Sequence, residues 1–276
     1  MILGRFAIDP VIHITPLTVF NFHGLAITNS MLYGLACALL IMIVLITVAR
    51  RMTLKPKGGI TQVIEVGTDF ITDLLKSSLG SEEKAIKYAP YFVAIFFFIL
   101  FSNWLGLLPI VGEAFRSHGE PLLRPFTADL NGTLAAATIT WLLVQYFAIR
   151  ESGPVKHLRH YFNGSFKNPI TLLLGVFEMF SDLTRIASLA LRLFLNVAIG
   201  EIIIAVFSAL GGSIGSITAL PFTILELLVG ALQAYIFVML SIMYLAVAVN
   251  HGGHEESEDH LTVDEVVHDE AGKASN

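Results

Sequence analysis

Four carboxylates, two arginines and two carboxamides lie inside the most apolar part of this chain. Glu178, Asp182, Arg185, Arg192, Asn196 and Glu201 fall within residues 168–210, and Glu226 and Gln233 within 221–249. Their neighbours are almost all Leu, Ile, Val, Ala and Phe. A charged side chain in hydrocarbon costs from about 2.5 to more than 10 kcal/mol, so such residues are rare and mark ion paths. Arginine is effectively never deprotonated. Arg192 therefore acts as a fixed positive charge, whose natural counterpart is a carboxylate that is only sometimes ionised. Carboxylates near each other share protons with one pKa raised, which suits Glu201 and Glu226 to a proton relay.

Spacing refines the pattern. Glu178, Asp182, Arg185, Leu189, Arg192 and Asn196 recur at i, i+4, i+7, i+11, i+14 and i+18, one helix face. Glu201 follows Arg192 by nine residues and points to the opposite face. Glu178 precedes Arg192 by about 21 Å of helix axis. The partner of Arg192 must come from another helix or another protein; a static buried ion pair is the plainer alternative. Asp182 can pair with Arg185 at i+3, which competes with its use, alongside Glu178 and Ser181, in lining an aqueous path.

The elements holding these residues are membrane helices. The 276 residues are 55% hydrophobic and 14% charged, with mean hydropathy +0.73, and no long stretch has soluble-domain composition. Spans are expected over 31–49, 88–111, 132–149, 168–210 and 221–249. Residues 168–210 would form about 65 Å of helix against a hydrocarbon core of about 30 Å. No turn signal interrupts them until Gly211-Gly212-Ser213. One long, steeply tilted helix is expected, hairpinned onto the last. Residues 60–79 alternate with helical period between an Ile/Val/Leu/Phe face and a Glu/Asp/Thr/Lys face. Two readings fit: a helix lying in the membrane interface or one packed on a partner subunit. The fold class is thus an all-α integral membrane protein of about five membrane helices plus one interfacial amphipathic helix. Residues 1–28 form an extramembrane arm, 29–250 the membrane domain and 251–276 an acidic tail.

Charge distribution orients the chain. Arg50, Arg51, Lys55, Lys57, Lys76, Lys84 and Lys87 precede the second span, and Arg150, Lys156, Arg159 and Lys167 follow the third. Only Arg5, Arg116 and Arg124 lie on the other side. The positive-inside rule then puts the N-terminus outside and the acidic tail in the cytoplasm. No basic face offers itself to nucleic acid, and no signal-peptide pattern opens the chain. Cys37, the single cysteine, lies in a span and says nothing of redox compartment. His13 and His23 read as surface or interfacial groups. His251, His254 and His260 could bind a metal, but they sit in a tail that reads as solvated, so no metal or cofactor is expected.

The motifs themselves resemble one family. L-R-L-F-L-N at 191–196 followed by Glu201, L-L-V-G-A-L-Q-A-Y-I-F-V-M-L at 227–240, F-S-N-W-L-G-L-L-P at 101–109 and T-A-D-L-N at 127–131 resemble subunit a of F-type ATP synthases, in order, over about residues 29–250. The resemblance implies a proton-translocating stator beside a ring of c subunits, assembled with the subunit b stalk and the remaining synthase subunits in a bacterial plasma membrane. It doing no bond chemistry of its own is also implied. Arg192 would be the essential charge facing the ring, with Asn196 and Gln233 as polar neighbours. Glu201 and Glu226 would serve the outward half-channel, with Asp129 and Asn131 near its mouth. Glu178, Ser181 and Asp182 would serve the inward one. Two positions depart from the pattern: Leu195 stands where the family usually has Gly, and Ile186 where Pro is frequent.

Two rival classes make different demands. A stand-alone secondary transporter calls for internal repeats and matching broken helices, and neither is found. A structural scaffold accounts for the spans but not for acids and arginines in the last two helices.

Overall fold

The computed structural model describes residues 18–22, 25–51, 59–108, 116–117, 120–121, 124–153 and 169–273. A short antiparallel hairpin, β1 (Thr18–Phe22) and β2 (Leu25–Thr28), leads into the first helix. Its strands pair from Phe22↔Leu25 to Thr18↔Thr28. The expected extramembrane arm thus carries a hairpin at the end that joins the first helix.

Helix α1 (Asn29–Arg51) buries Tyr33, Cys37, Ile41 and Val48 on one side. It leaves Leu35, Leu39, Met42, Ile43 and Ile46 exposed on the other. That one-sided burial is what a lipid-facing helix at the edge of a bundle requires, since lipid solvates Leu and Ile as well as a core does. Helix α2 (Ile60–Leu79) buries Ile64, Ile71, Leu75 and Leu79, with Asp69 and Asp73 turned outward. It packs on its own chain, with Phe70 against Tyr235 at 5.5 Å between ring centroids. Gly80 ends it at φ 64°, donating its N–H to Lys76 O. That left-handed cap is a conformation glycine adopts without steric cost. Across the turn Lys76 Nζ meets Glu82 at 2.9 Å, and this hydrogen bond holds the lysine above its ordinary pKa.

Helix α3 (Glu82–Gly106) starts and stops earlier than the expected 88–111. Ser81 caps it by accepting from the Lys84 N–H, and Glu82 and Glu83 complement the dipole of its first turn. Pro90 therefore lies inside the helix instead of in its first turn. At the far end Pro109 disfavours helical geometry in the residue before it. Beyond a two-residue ladder of β3 (Arg116–Ser117) and β4 (Glu120–Pro121) comes a 3-10 turn, Phe126–Ala128. Asp129 then caps helix α4 (Leu130–Ser152), which exceeds the expected 132–149 at both ends.

Helix α5 runs unbroken over Pro169–Leu210. Its apolar part, Phe180–Leu210, has 31 residues. As a straight rod that rises about 46 Å and fits a core of about 30 Å only when inclined by about 50°. A second 3-10 turn, Gly212–Ile214, feeds directly into α6 (Gly215–Lys273). This helix starts before the expected 221, because the turn already sets helical geometry, and so takes Pro221 inside it. It also continues past 249. No proline follows Pro221, and Gly252 and Gly253 cost only about 1 kcal/mol each.

The core forms where α3 packs between α2 and α6, with α4 against α5 and α6. Tyr88, Phe92, Ile99, Leu193, Phe237, Ile242 and Leu245 are all within it. One polar clasp ties the start of α3 to the end of α4: Glu151 accepts from Lys87 Nζ at 2.6 Å and from the Tyr88 hydroxyl. Among the described residues five helices are long and apolar enough to cross a membrane, namely α1, α3, α4, α5 and α6. The protein is a multi-pass, all-α membrane protein.

Asp129 illustrates how the loops are fixed. It is 4% exposed, accepts from the Asn131 N–H at 3.0 Å and receives the Ser30 hydroxyl from the start of α1. Asp129→Ala is expected to remove both contacts and lower stability by about 1–3 kcal/mol, read as a drop in Tm of the detergent-solubilised protein.

Candidate functional site

The polar stripe of α5 does not stay on one side of the bundle. Asp182 is 7% exposed and Leu189 5%, whereas Arg192 is exposed and Asn196 half-buried. The reason lies in helical phase. At about 100° per residue, Asp182 and Arg192 occupy opposite edges of the stripe, about 80° apart. Turning Leu189, Leu193 and Val197 into the core draws the first edge inward and leaves the second outside.

The inward edge is a closed network. Arg185 Nη1 donates to Asp182 Oδ1 at 3.1 Å, Gln145 Nε2 to Asp182 Oδ2 at 3.2 Å, and the guanidinium lies 4.2 Å over the Tyr244 ring. Asp182 thus ties α5 to α4, while Arg185 ties it to α6. Asp182→Ala is expected to loosen this joint by about 1–3 kcal/mol, since a partly buried cation loses its paired charge; thermal unfolding in detergent reads it. Ser181 is exposed, and its carbonyl accepts from Thr184 Oγ1 at 2.8 Å. The side chain of Glu178 lies outside the described residues.

The outer edge has a different character. Arg192 projects among Leu191 (43% exposed), Leu195 (48%) and Ile199 (53%). Among the described residues no carboxylate pairs with it. Asn196 Nδ2 on α5 and Gln233 Nε2 on α6 are buried without a hydrogen-bonding partner among the described residues. Leu195, where the resemblance led one to look for Gly, is part of the same exposed surface. Ile186 packs against the core.

Glu201 and Glu226 are both half-buried. They come together because α5 and α6 form an antiparallel hairpin about the Gly211–Gly212 turn. The Glu226 carboxyl lies directly on the backbone of Gly200: a Cβ there would fall 2.1 Å from Glu226 Cδ and 2.2 Å from Oε2. The sequence reading singled out both glutamates but missed Gly200, whose only signal was its place before Glu201. It also left Arg124 as a loop residue. Arg124 donates to Ala128 O at 3.0 Å and lies within electrostatic reach of Glu201. Two further donors brace α6 beside Glu226: Trp104 Nε1 to Leu227 O at 3.0 Å and Asn103 Nδ2 to Gly230 O at 3.2 Å. Of the residues assigned to the outward mouth, Asp129 is the buried cap described above, while Asn131 is exposed.

A long helical hairpin with an exposed guanidinium among apolar side chains, and two half-buried carboxylates brought together across it, belongs to a polytopic membrane protein. Residues 31–246 match the family described as ATP synthase A chain. The chain is 31% identical over 229 residues to ATP synthase subunit a of Sulfurihydrogenibium sp., covering 82% of this chain and 99% of that one. With ATP synthase subunit a of Gluconacetobacter diazotrophicus it shares 32% over 207 residues, 75% and 74% of the two chains. A relative from Anaeromyxobacter dehalogenans, also named ATP synthase subunit a, is 35% identical over 184 residues, 66% of this chain but only 45% of its own length. The chain belongs to the ATP synthase A chain family.

Proposed function

We propose that this chain is the proton-translocating stator of a rotary ATP synthase, offering two offset half-channels to carboxylates carried by a ring of c subunits. The observation that carries this reading is Arg192, a permanent cation on an exposed apolar face with no carboxylate partner among the described residues. A proton enters from outside, passes Glu226 and Glu201, and neutralises a ring carboxylate. The neutral group turns into lipid at a far lower desolvation cost than the ion. After rotation it releases its proton towards Ser181, Asp182 and Glu178. Arg192 attracts the ionised form and, being unable to give up its own proton, blocks direct passage between the half-channels. The drive is about 2.3 kcal/mol per charge per 100 mV. In this reading the N-terminus faces outward, the acidic tail faces the cytoplasm, Asn131 lies near the outward mouth, and the subunit b stalk holds the chain against the ring.

The test is isolation and function together. An affinity-tagged chain is expected to bring the ring and the other synthase subunits out of the membrane. Inverted vesicles are expected to acidify on ATP addition, and Glu201→Gln to depress that acidification with the complex intact. A chain that transports ions alone, or a Glu201→Gln complex that pumps at the wild-type rate, would count against it.

A further inference from the structure

The end of the bundle where α3 begins and α4 ends carries positive charge that the proposed proton path does not call on. Lys84 Nζ lies 3.5 Å from Glu151 Oε2 and Lys87 Nζ 2.6 Å from Oε1. Arg150, the residue before Glu151, is exposed, with its Nη1 3.4 Å from the Tyr146 hydroxyl. Three cations thus gather at a joint that holds one carboxylate. Of the other acids at this end, Glu82 pairs with Lys76 at 2.9 Å, and Glu83 lies one turn further out along α3 than Lys87. Arg150 also suits the last turn of α4, where a cation complements the helix dipole. That accounts for one of the three cations, and not for what lies beneath them.

Beneath them comes a layer of rings. Tyr91 is one turn into α3 from Lys87, and Tyr146 one turn into α4 from Arg150, about 6 Å deeper along each axis. Both are about half exposed, at 48% and 56%. Phe147 sits between them, its ring centroid 4.9 Å from that of Tyr91 and 5.7 Å from that of Tyr146. Deeper still, Ala94 on α3 and Leu142 on α4 are exposed. Two antiparallel helices therefore present the same order inwards: cation, tyrosine, apolar side chain.

That order matches one leaflet of a bilayer. Tyrosines settle at headgroup level, acyl chains solvate the apolar side chains below, and phosphates lie above. Lys87 has three donors, of which Glu151 takes one. The guanidinium of Arg150 offers a fork that fits phosphate oxygens. A headgroup with an amine would set its own cation against these two; a phosphodiester without one would not.

We propose that Lys87 and Arg150 hold the phosphate of an anionic, amine-free phospholipid whose upper chain lies against Tyr91, Phe147 and Tyr146. Basic sites between membrane helices select anionic headgroups in this way. The proposal stands on the membrane setting of α3 and α4 and is independent of the proton path.

The experiment uses the assembled complex, reconstituted into phosphatidylcholine vesicles with a trace of phospholipid bearing a photoreactive acyl chain. The probe carries a phosphatidylglycerol head in one set and a phosphatidylcholine head in the other. After illumination, mass spectrometry reads the labelling of peptides covering residues 86–94 and 139–150. The glycerol probe is expected to label them more strongly. Arg150→Gln is expected to cut that preference about fivefold, the effect of one cation near such a surface. This variant leaves the contacts of Lys87 and Tyr88 with Glu151 in place, so the joint still forms. Lys76→Gln removes a charge from α2 at the same end of the bundle and is expected to keep the preference. Equal labelling by the two probes overturns the proposal, as does an unchanged preference in Arg150→Gln or an equal loss in the Arg150 and Lys76 variants. Labelling by neither probe means that another protein covers the face, and overturns it too. Pumping is not the readout, so failure of the Glu201→Gln test and failure of the lipid test are separate results.

Discussion

Arg192→Ala is expected to abolish ATP-driven proton pumping while leaving the assembled complex intact. The guanidinium is exposed on a face lined by Leu191, Leu195 and Ile199, so its removal leaves no cavity in the core of this chain. What it removes, in the proposed mechanism, is the counter-charge for an ionised carboxylate arriving at that face. Breaking a desolvated pair by deleting one member costs about 3–5 kcal/mol, a factor of more than about 100 in any step that depends on it. A second effect follows from the same geometry. Without a fixed cation between the proposed half-channels, protons are expected to leak through vesicles whose ring is in place. Pumping and passive leak should therefore move in opposite directions. Acidification by ATP and decay of an imposed pH gradient measure the two separately. A static structural role for Arg192 would lower assembly or Tm first and would not raise the leak.

Gly200→Val is expected to produce the next largest loss. The three atoms nearest to the position its Cβ would take all belong to the Glu226 carboxyl. The valine would push that side chain aside and leave most of the fold in place. Stability should fall by no more than about 1–3 kcal/mol, the usual range for overpacking. Pumping should fall much further, because Glu226 would no longer sit beside Glu201. The combination with Glu226→Gln distinguishes this from general damage. If Gly200→Val acts through Glu226, the double variant should be no worse than the more severe single one, a non-additivity expected of residues in contact. Additive losses would show that Gly200 acts by another route. Pumping rates of the four proteins, normalised to complex content, decide it.

Much of this was open to reading in the chain. Uninterrupted apolar runs announced α1 and α5, and the basic loops made an orientation arguable. The tail end of α6 was missed because an acidic sequence carries no hydrophobic period to betray a helix. The early start of α3 was missed because Ser81, Glu82 and Glu83, a cap with its first turn, precede the apolar run that marks the span. The two last helices also showed which residues could carry charge, but not how the rotation of α5 would divide them. Asp182 and Arg192 share a stripe in the sequence and part company in the fold, because packing of Leu189 and Leu193 sets the phase. Gly200 was invisible for a simpler reason. A glycine has no chemistry of its own, and its role appears only once Glu226 lies against it.

The most direct measurement is of what faces Arg192. A cysteine at Leu195, one turn from Arg192 on the exposed surface, is paired with cysteines placed along the membrane helices of the c subunit. Oxidation in native membranes is followed by gel analysis of the linked products, with Ile43→Cys on the exposed side of α1 as the comparison. The account predicts that Leu195→Cys joins the c subunit next to its membrane carboxylate and that Ile43→Cys does not. An assembled complex in which Leu195→Cys forms no link to the ring, while Ile43→Cys does, would contradict it and place the ring on another face.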